Sequence, residues 1–366
     1  MAGNGLDWIA LGLMTSESFR IIPRILSFYP HPPDVLRATR DELESLRLAE
    51  DQIQDALSGL WHERAAEEDR RLRKLGARAV GFGENGYPPL LKRIPDPPLV
   101  LYARGDGRIW SEPAIGIVGA RNPSSYGRTV AESLARELAC RGLVVISGLA
   151  EGIDTRAHVG ALDGGRTVAV LGTGLDVCYP RQNRKLAERI AAEGALVTEF
   201  PLGSEPAGRH FPQRNRLISA LSLALVVVEA APKSGSLITA KLALEQNREV
   251  LAVPGAITSK LSVGTNALIR AGARPATCWQ DVAEELPPPL NDRVLKAGRG
   301  GAEEAAARTG EERKILGCLA AGGSVHIDEL ASRSEVPVPD LLAVLLDMEL
   351  RGLVRPSPGK YYTRSL

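Results

Sequence analysis

Six short, unbroken apolar runs constrain this chain more than any other feature. They are Ile115-Gly-Ile-Val118, Leu143-Val-Val-Ile146, Val168-Ala-Val-Leu171, Leu196-Val197, Leu225-Val-Val-Val228 and Val250-Leu-Ala-Val253. A strand with one wet face alternates apolar and polar residues. These runs do not alternate, so each is expected to be buried on both faces of a sheet. Between them Thr129–Arg141, Lys185–Ala192 and Leu237–Gln246 carry helical spacing. Strand and helix repeated in this way predict an α/β fold, a Rossmann-like doubly wound parallel sheet, with its core over 114–286.

The flanks read differently. Over 1–72, Leu6, Trp8, Ile9, Leu11, Leu13, Phe19, Ile22, Leu26, Leu43, Leu46, Ile53 and Leu57 are spaced as short helices, broken at Tyr29-Pro-His-Pro-Pro33. This is expected to be a small helical domain, a helix-hairpin-helix DNA binder or, with better support, a packing module. Residues 73–113 read as an extended lead-in with a strand at Leu99–Tyr102, so the second domain is placed at 73–286. Pro-Pro-Pro289 and Gly298-Arg-Gly-Gly301 mark a linker over 287–310. Over 311–366, three helical patterns and a hairpin around Pro356-Ser-Pro-Gly359 predict a winged helix-turn-helix.

At 366 residues, two or three domains are expected, and 44% apolar residues suffice to build their cores. No apolar run is long enough to cross a bilayer, and Met1–Met14 lacks a basic segment and a cleavage site, so the cytoplasm is the expected location. Cys140, Cys178, Cys278 and Cys318 are too far apart for a zinc knuckle or redox pair and are expected to be buried and inert. No metal site is expected. A net charge of +1 argues against coating duplex DNA by bulk charge. Cations must be gathered locally if nucleic acid is bound, and with 4% aromatics base stacking can act at few points.

In open parallel sheets, ligands sit beyond the carboxyl ends of the strands. Three strands there run into glycine-rich turns: Gly119-Ala-Arg-Asn-Pro-Ser-Ser-Tyr-Gly127, Ser147-Gly-Leu-Ala-Glu-Gly-Ile-Asp154 and Gly172-Thr-Gly-Leu-Asp176. Gly119, Gly127, Gly148, Gly172 and Gly174 are read as phosphate-loop glycines, because a bare backbone and a helix N-terminus suit an anion. No Gly-x-Gly-x-x-Gly opens the first turn and no Gly-x-x-x-x-Gly-Lys-Ser/Thr occurs, so neither a dinucleotide nor an NTP is expected, and no cofactor. Arg121 with Ser124, Arg184 with Lys185, Arg214-Asn215-Arg216, and Lys233-Ser234-Gly235-Ser236 gather near the same rim. Together they are expected to form a pocket for consecutive phosphates of a flexible single strand. Catalytic candidates are few. Asp154 and His158 share a helix face, but a structural pair is the better reading. Glu199 and Glu229 end strands and are read as ion-pair partners of nearby arginines.

These motifs, taken with Tyr179-Pro-Arg-Gln-Asn183, Phe211-Pro-Gln-Arg-Asn-Arg216, Glu229-Ala230 and Val253-Pro-Gly255, make the chain resemble the DNA-processing protein A family (DprA, also called Smf) over about 114–280. The N-terminus resembles the family's sterile-alpha-motif-like domain, and the C-terminus a winged helix that some members carry. The resemblance implies cooperative binding and protection of single-stranded DNA, a homodimer, and loading of the RecA recombinase during natural transformation. It also implies strand contacts by Arg121 and Lys185. The sheet is similar to that of phosphoribohydrolases too. Their catalytic glutamate falls on Leu242 in Gly235-Ser-Leu-Ile-Thr-Ala-Lys-Leu242, and leucine cannot act as a general base. A binding protein is therefore expected, with a nucleotide-processing enzyme or nucleotide sensor as the alternative. The third winged-domain helix, Pro339–Leu350, carries Asp340, Asp347 and Glu349 and no cation, which suits contact with protein.

Overall fold

The computed structural model describes residues 5–16, 21–48, 50–297, 309–319, 324–350 and 353–364. The chain divides into two compact units, one running through Pro287 and the other from Pro288 onward.

The first unit is built on a nine-stranded sheet. In chain order its strands are β1 (Ala77–Gly81), β2 (Val100–Gly105), β3 (Ala114–Gly119), β4 (Val144–Ser147), β5 (Thr167–Val170), β6 (Ala195–Thr198), β7 (Ala224–Val228), β8 (Glu249–Ala252) and β9 (Arg274–Pro275). Across the sheet the order is β1-β2-β6-β5-β4-β3-β7-β8-β9. From β6 to β9 every pairing is parallel, while β1–β2 and β2–β6 are antiparallel. The doubly wound sheet read from the six apolar runs is therefore present, with an antiparallel extension on one edge.

The helices explain the winding. α6 (Ser125–Cys140), α7 (Ile153–Gly164) and α8 (Arg184–Glu193) carry the chain from β3 outward to β6. α9 (His210–Leu221) then crosses back over β3, β4 and β5, and α10 (Gly235–Glu245) joins β7 to β8. The direction of strand addition thus reverses between β3 and β7. Alternate side chains serve two cores: Val100, Tyr102, Ala169 and Leu196 face one, while Leu101, Ala103, Val168, Val170 and Val197 face the other with Leu217 and Leu221 of α9. Both faces are dry, which is why the strands do not alternate in polarity.

The N-terminal helices α1 (Gly5–Thr15), α2 (Ile22–Phe28), α3 (Arg40–Ser45), α4 (Glu50–Ser58) and α5 (Leu60–Lys74) do not form a separate domain. Trp8, Leu11, Ile25, Leu43 and Leu72 share one core with Val100, Tyr102 and Leu196 of the sheet. Contact requires the glycine that ends β1: a Cβ on Gly81 would lie 2.2 Å from the Trp8 ring. This corrects the expectation of a stand-alone helical domain over 1–72. The apolar faces of these short helices are covered by the antiparallel edge of the sheet, which the sequence reading took for a lead-in. Buried Glu68 fixes the layer further, accepting from Leu202 N–H at 2.7 Å, and Arg71 pairs with Asp176 at 3.1 Å.

α11 (Val263–Arg270) and α12 (Trp279–Glu284) complete the first unit. None of the four cysteines is disulfide-bonded, and none is fully buried: Cys140 and Cys278 are exposed, which corrects the expectation of four buried thiols. Both sit at helix ends, where only part of a side chain is covered. Among the described residues no helix is long and apolar enough to cross a membrane, and no group of side chains could hold a metal ion.

In the second unit, α13 (Leu290–Ala297) buries Val294 and replaces part of the expected linker, and 298–308 lie outside the described residues. Helices Gly310–Leu319, Ile327–Ser334 and Val338–Leu350 pack with strands Val325–His326, Val354–Ser357 and Tyr361–Arg364 around Ile315, Leu319, Leu330, Leu341 and Leu345. Three helices and a three-stranded sheet with a terminal hairpin make the winged helix that was expected.

Candidate nucleic-acid interface

The reversal of strand order between β3 and β7 opens a crevice at their carboxyl ends, where open α/β sheets place ligands. A cleft of about 750 Å³ lies there, bordered by the loops after β3 and β7 and by one side of α9. Arg121, Asn122, Arg214, Asn215, Lys233, Ser234, Gly235 and Ser236 line it, so most of the residues singled out from sequence do converge. A smaller recess of about 90 Å³ continues from it, sharing Arg121, Ala150, Phe211 and Arg214, and adding Gly148, Gly172, Thr173 and Tyr179.

Each cation has a different standing. Arg121 is exposed, and its guanidinium lies 5.8 Å from the Phe211 ring centre, a cation–π contact. Lys233 is exposed and lines the cleft. Arg214 is only 4% exposed. It donates to the Gly148 carbonyl at 2.5 Å and also to that of Val170, holding the floor of the recess together. Burial lowers its pKa to about 10, with Asp154 opposing the shift and Arg121 adding to it. It remains a cation, with Nε and one terminal nitrogen bonded to the protein.

Arg216 belongs elsewhere. It is buried, pairs with Glu199, and lies 3.3 Å from Asp96, so its grouping with the strand-binding cations is corrected: it is a core ion pair. A helix turns about 100° per residue, so Arg214, Asn215 and Arg216 cannot all face one cleft. The reading of Glu199 as an arginine partner holds. Burial raises its carboxyl pKa and Arg216 opposes that shift. Arg184 and Lys185 are exposed on α8 and line neither cavity.

Ser124 is also corrected. Its hydroxyl donates to Glu229 at 2.5 Å and its N–H donates to the same carboxylate at 2.8 Å, while its Oγ caps Gly127 N–H. The positive end of α6 is therefore filled by the protein's own anion, and Glu229 binds a helix terminus instead of an arginine. A similar arrangement precedes α7. Buried Asp154 accepts from the N–H groups of Gly148 and Ala150 at 3.1 and 3.4 Å.

The phosphate-loop glycines are corrected by the same logic. A Cβ would lie 1.9 Å from the Val228 carbonyl at Gly119, 2.3 Å from the Glu229 carboxylate at Gly127 and 2.6 Å from Arg214 at Gly148. At Gly172 it would meet the Phe211 ring at 3.1 Å, and at Gly174 the Pro201 carbonyl at 2.5 Å. These glycines admit protein atoms. Gly235 differs, with open space where a Cβ would stand. It begins α10, whose Ser234 hydroxyl caps Ser236 N–H at 3.3 Å. No carboxylate is bonded to that terminus among the described residues, so the N-terminus of α10 is open beside exposed Lys233.

Asp154 and His158 do not pair. His158 Nδ1 bonds Thr167 Oγ1 at 2.7 Å, and burial lowers its pKa to about 3, with Arg214 adding to the shift.

Sequence reasoning missed two aromatics. Tyr179, 44% exposed, lies 5.5 Å from Phe211 between ring centres, tilted by 42°, and Arg121 stands against the same Phe211. Their aromatic type beside arginine loops was the available signal. Arg209, exposed at the start of α9 beside cleft-lining Gly208, was missed as well.

Residues 78–287 match the family described as DNA recombination-mediator protein A, and residues 301–360 match the DprA winged helix domain. The chain is 41% identical over 257 residues to the DNA processing protein DprA of Bacillus subtilis, covering 70% of this chain and 84% of that protein. It is 38% identical over 293 residues to Protein Smf of Escherichia coli, covering 75% and 74%. It is similar in structure to DNA processing protein A of Streptococcus pneumoniae, with TM-score 0.70, 31% identity, and coverage of 78% of this chain and 99% of that one. A Helicobacter pylori DNA processing protein A, described for its unique single-stranded DNA binding mode, aligns with TM-score 0.53 and 32% identity over 60% of this chain and 96% of that one. With a family match spanning more than half its length, the chain belongs to the DNA recombination-mediator protein A family.

Proposed function

We propose that this chain binds single-stranded DNA without reading its sequence, protects it, and delivers it to the RecA recombinase in natural transformation and recombination. One observation carries the reading: Arg121 stands beside the Tyr179–Phe211 ring pair at the edge of a cleft that also receives Lys233 and the open terminus of α10. Cations and a helix terminus suit phosphates, and the exposed Tyr179 ring backed by half-buried Phe211 suits an unpaired base, which a duplex keeps stacked inside. Nothing in the arrangement selects one base.

The chain acts as a binding protein in this reading, not as an enzyme. Asp154 is the carboxylate among the described residues lining the cleft, and it is already bonded to Gly148 and Ala150. Glu151 lines the adjoining recess, and Leu242, which cannot act as a general base, occupies the position of the phosphoribohydrolase glutamate. The working form is a homodimer in the cytoplasm. Ile257, 93% exposed, and Val263, 45% exposed, offer apolar surface for self-association.

Fluorescence anisotropy with oligo(dT) and a hairpin duplex of equal length tests the reading. Tight binding of the single strand and weak binding of the duplex are expected. Tyr179→Ala and Phe211→Ala should each cost about 1–3 kcal/mol on the single strand. Equal affinity for the two forms, or variants indistinguishable from wild type, would refute it. Incubation with nucleotide monophosphates should release no free base.

A further inference from the structure

Arg121 stands on a short connection, Ala120-Arg-Asn-Pro-Ser124, between β3 and α6. Both ends of this loop are tied. At the first end, the Ala120 carbonyl accepts from Ile153 N–H at 3.1 Å. The backbones approach so closely there that a Cβ on Gly152, at φ +87°, would lie 2.3 Å from the Ala120 carbonyl oxygen and 2.4 Å from that of Arg121. At the second end, Ser124 donates its N–H to one oxygen of Glu229 at 2.8 Å and its hydroxyl to the other at 2.5 Å. Gly127 leaves room for that carboxylate, since a Cβ there would lie 2.3 Å from it.

Glu229 reaches this loop from a different strand. β7 runs parallel to β3 with Val228 opposite Gly119, so the residue that follows β7 lies beside the loop that follows β3. Glu229 is 4% exposed and has a φ of +54°. That left-handed conformation is uncommon for a residue with a Cβ, and such residues persist where their surroundings over-determine them, often at functional sites. Here the next residue is held on both sides: Ala230 N–H donates to the Leu261 carbonyl at 2.6 Å, and the Ala230 carbonyl accepts from Gly264 N–H at 2.8 Å. Capping α6 does not by itself call for this carboxylate, because the Ser124 hydroxyl oxygen already accepts from Gly127 N–H at 3.1 Å. Glu229 grips the capping residue, which is the far end of the Arg121 loop.

We propose that Glu229 is a positioning residue for strand binding: through Ser124 it holds the Arg121 loop in its binding conformation before the strand arrives. The inference rests on the reading of the cleft as a single-strand site. A loop ordered in advance spares the complex the entropy of ordering it. Charge and geometry then predict opposite outcomes for the loss of this side chain. A carboxylate near the cleft repels phosphates, so removing its charge alone would strengthen binding of a polyanion. Removing the brace frees the loop and weakens binding.

The test is a double-mutant cycle on the full chain, read by anisotropy with labelled oligo(dT) over a salt series. Tryptophan fluorescence in urea confirms that each variant is folded. Glu229→Ala should bind about tenfold more weakly, the cost of ordering a long side chain and its loop on binding. Its log–log salt slope should be shallower by about 0.7, as for Arg121→Ala, because one phosphate contact is lost. Added to Arg121→Ala, it should cost little more; added to Lys233→Ala, it should cost its whole effect. Glu229→Gln keeps an acceptor and a donor for Ser124 and should recover most of the affinity. If Glu229→Ala does not fold, Ser124→Ala removes one of the two anchors and should show a smaller loss with the same dependence on Arg121. A lower urea midpoint with wild-type affinity and slope, while Arg121→Ala binds weakly, would make Glu229 a structural brace only and overturn the inference alone. Full additivity with Arg121→Ala, or tighter binding by both Glu229 variants, would overturn it too. Wild-type binding by Arg121→Ala would sink the reading of the cleft and this inference with it.

Discussion

His158 should make the first unit acid-sensitive in a way that one substitution removes. The imidazole is 0% exposed. Thr167 Oγ1 donates to the Val145 carbonyl at 2.6 Å, so its lone pair accepts from His158 Nδ1–H at 2.7 Å. The proton is thereby assigned to Nδ1, and buried Nε2 has no hydrogen-bond partner among the described residues. Protonating Nε2 would create a buried cation near the Arg214 guanidinium. Burial, with Arg214 adding to it, accordingly lowers the pKa to about 3, against an ordinary 6.5. The folded state resists a proton that the unfolded chain accepts. This contribution is fully present above pH 6.5 and is lost as pH falls from 6.5 toward 3. Between pH 8 and pH 5 it is worth about 2 kcal/mol. His158→Asn keeps a donor toward Thr167 but cannot be protonated. All four tryptophans, Trp8, Trp61, Trp110 and Trp279, lie in the first unit, so their fluorescence reports its urea unfolding alone. The variant's midpoint should fall less than the wild type's between pH 8 and pH 5. Parallel losses would refute the buried, neutral imidazole.

Three further outcomes follow from packing and charge. Gly81→Ala should destabilise the N-terminal layer by about 1–3 kcal/mol or more, because its methyl would enter the Trp8 ring. Near-ultraviolet dichroism and the urea midpoint would register it. Asp154→Asn leaves buried Arg214 without its nearby carboxylate and weakens the acceptor for Gly148 and Ala150 N–H. A loss of about 2–4 kcal/mol in urea is expected. Arg216→Ala, which strands Glu199 in the core, should lower stability, while the affinity of the folded fraction for oligo(dT) stays near that of wild type.

How far the sequence carried can be traced to particular residues. The parallel sheet was legible because burial on both faces leaves a one-dimensional mark, the unbroken β-branched run. β1 was not, because Ala77-Arg-Ala-Val-Gly81 holds an arginine and only one β-branched residue. The crevice was legible because its loops follow strand ends. The assignment of individual cations was not: Arg121 and Arg216 look alike in sequence, and only the turn of α9 sends one arginine into the core beside Glu199. Glycine-rich turns pointed to close approach, but the approaching groups are mostly the protein's own, Glu229, Arg214 and Phe211. Tyr179 stands in a loop and Phe211 on α9, and they meet only once α9 has crossed back over the sheet.

The most direct test of the account is the salt dependence of oligo(dT) binding by wild type, Arg121→Ala and Lys233→Ala. If the two side chains hold strand phosphates, each variant should bind all single-stranded sequences more weakly, and its log–log slope against salt should be shallower by about 0.7. Unchanged affinity and slope in both variants would mean that the strand does not lie in this cleft.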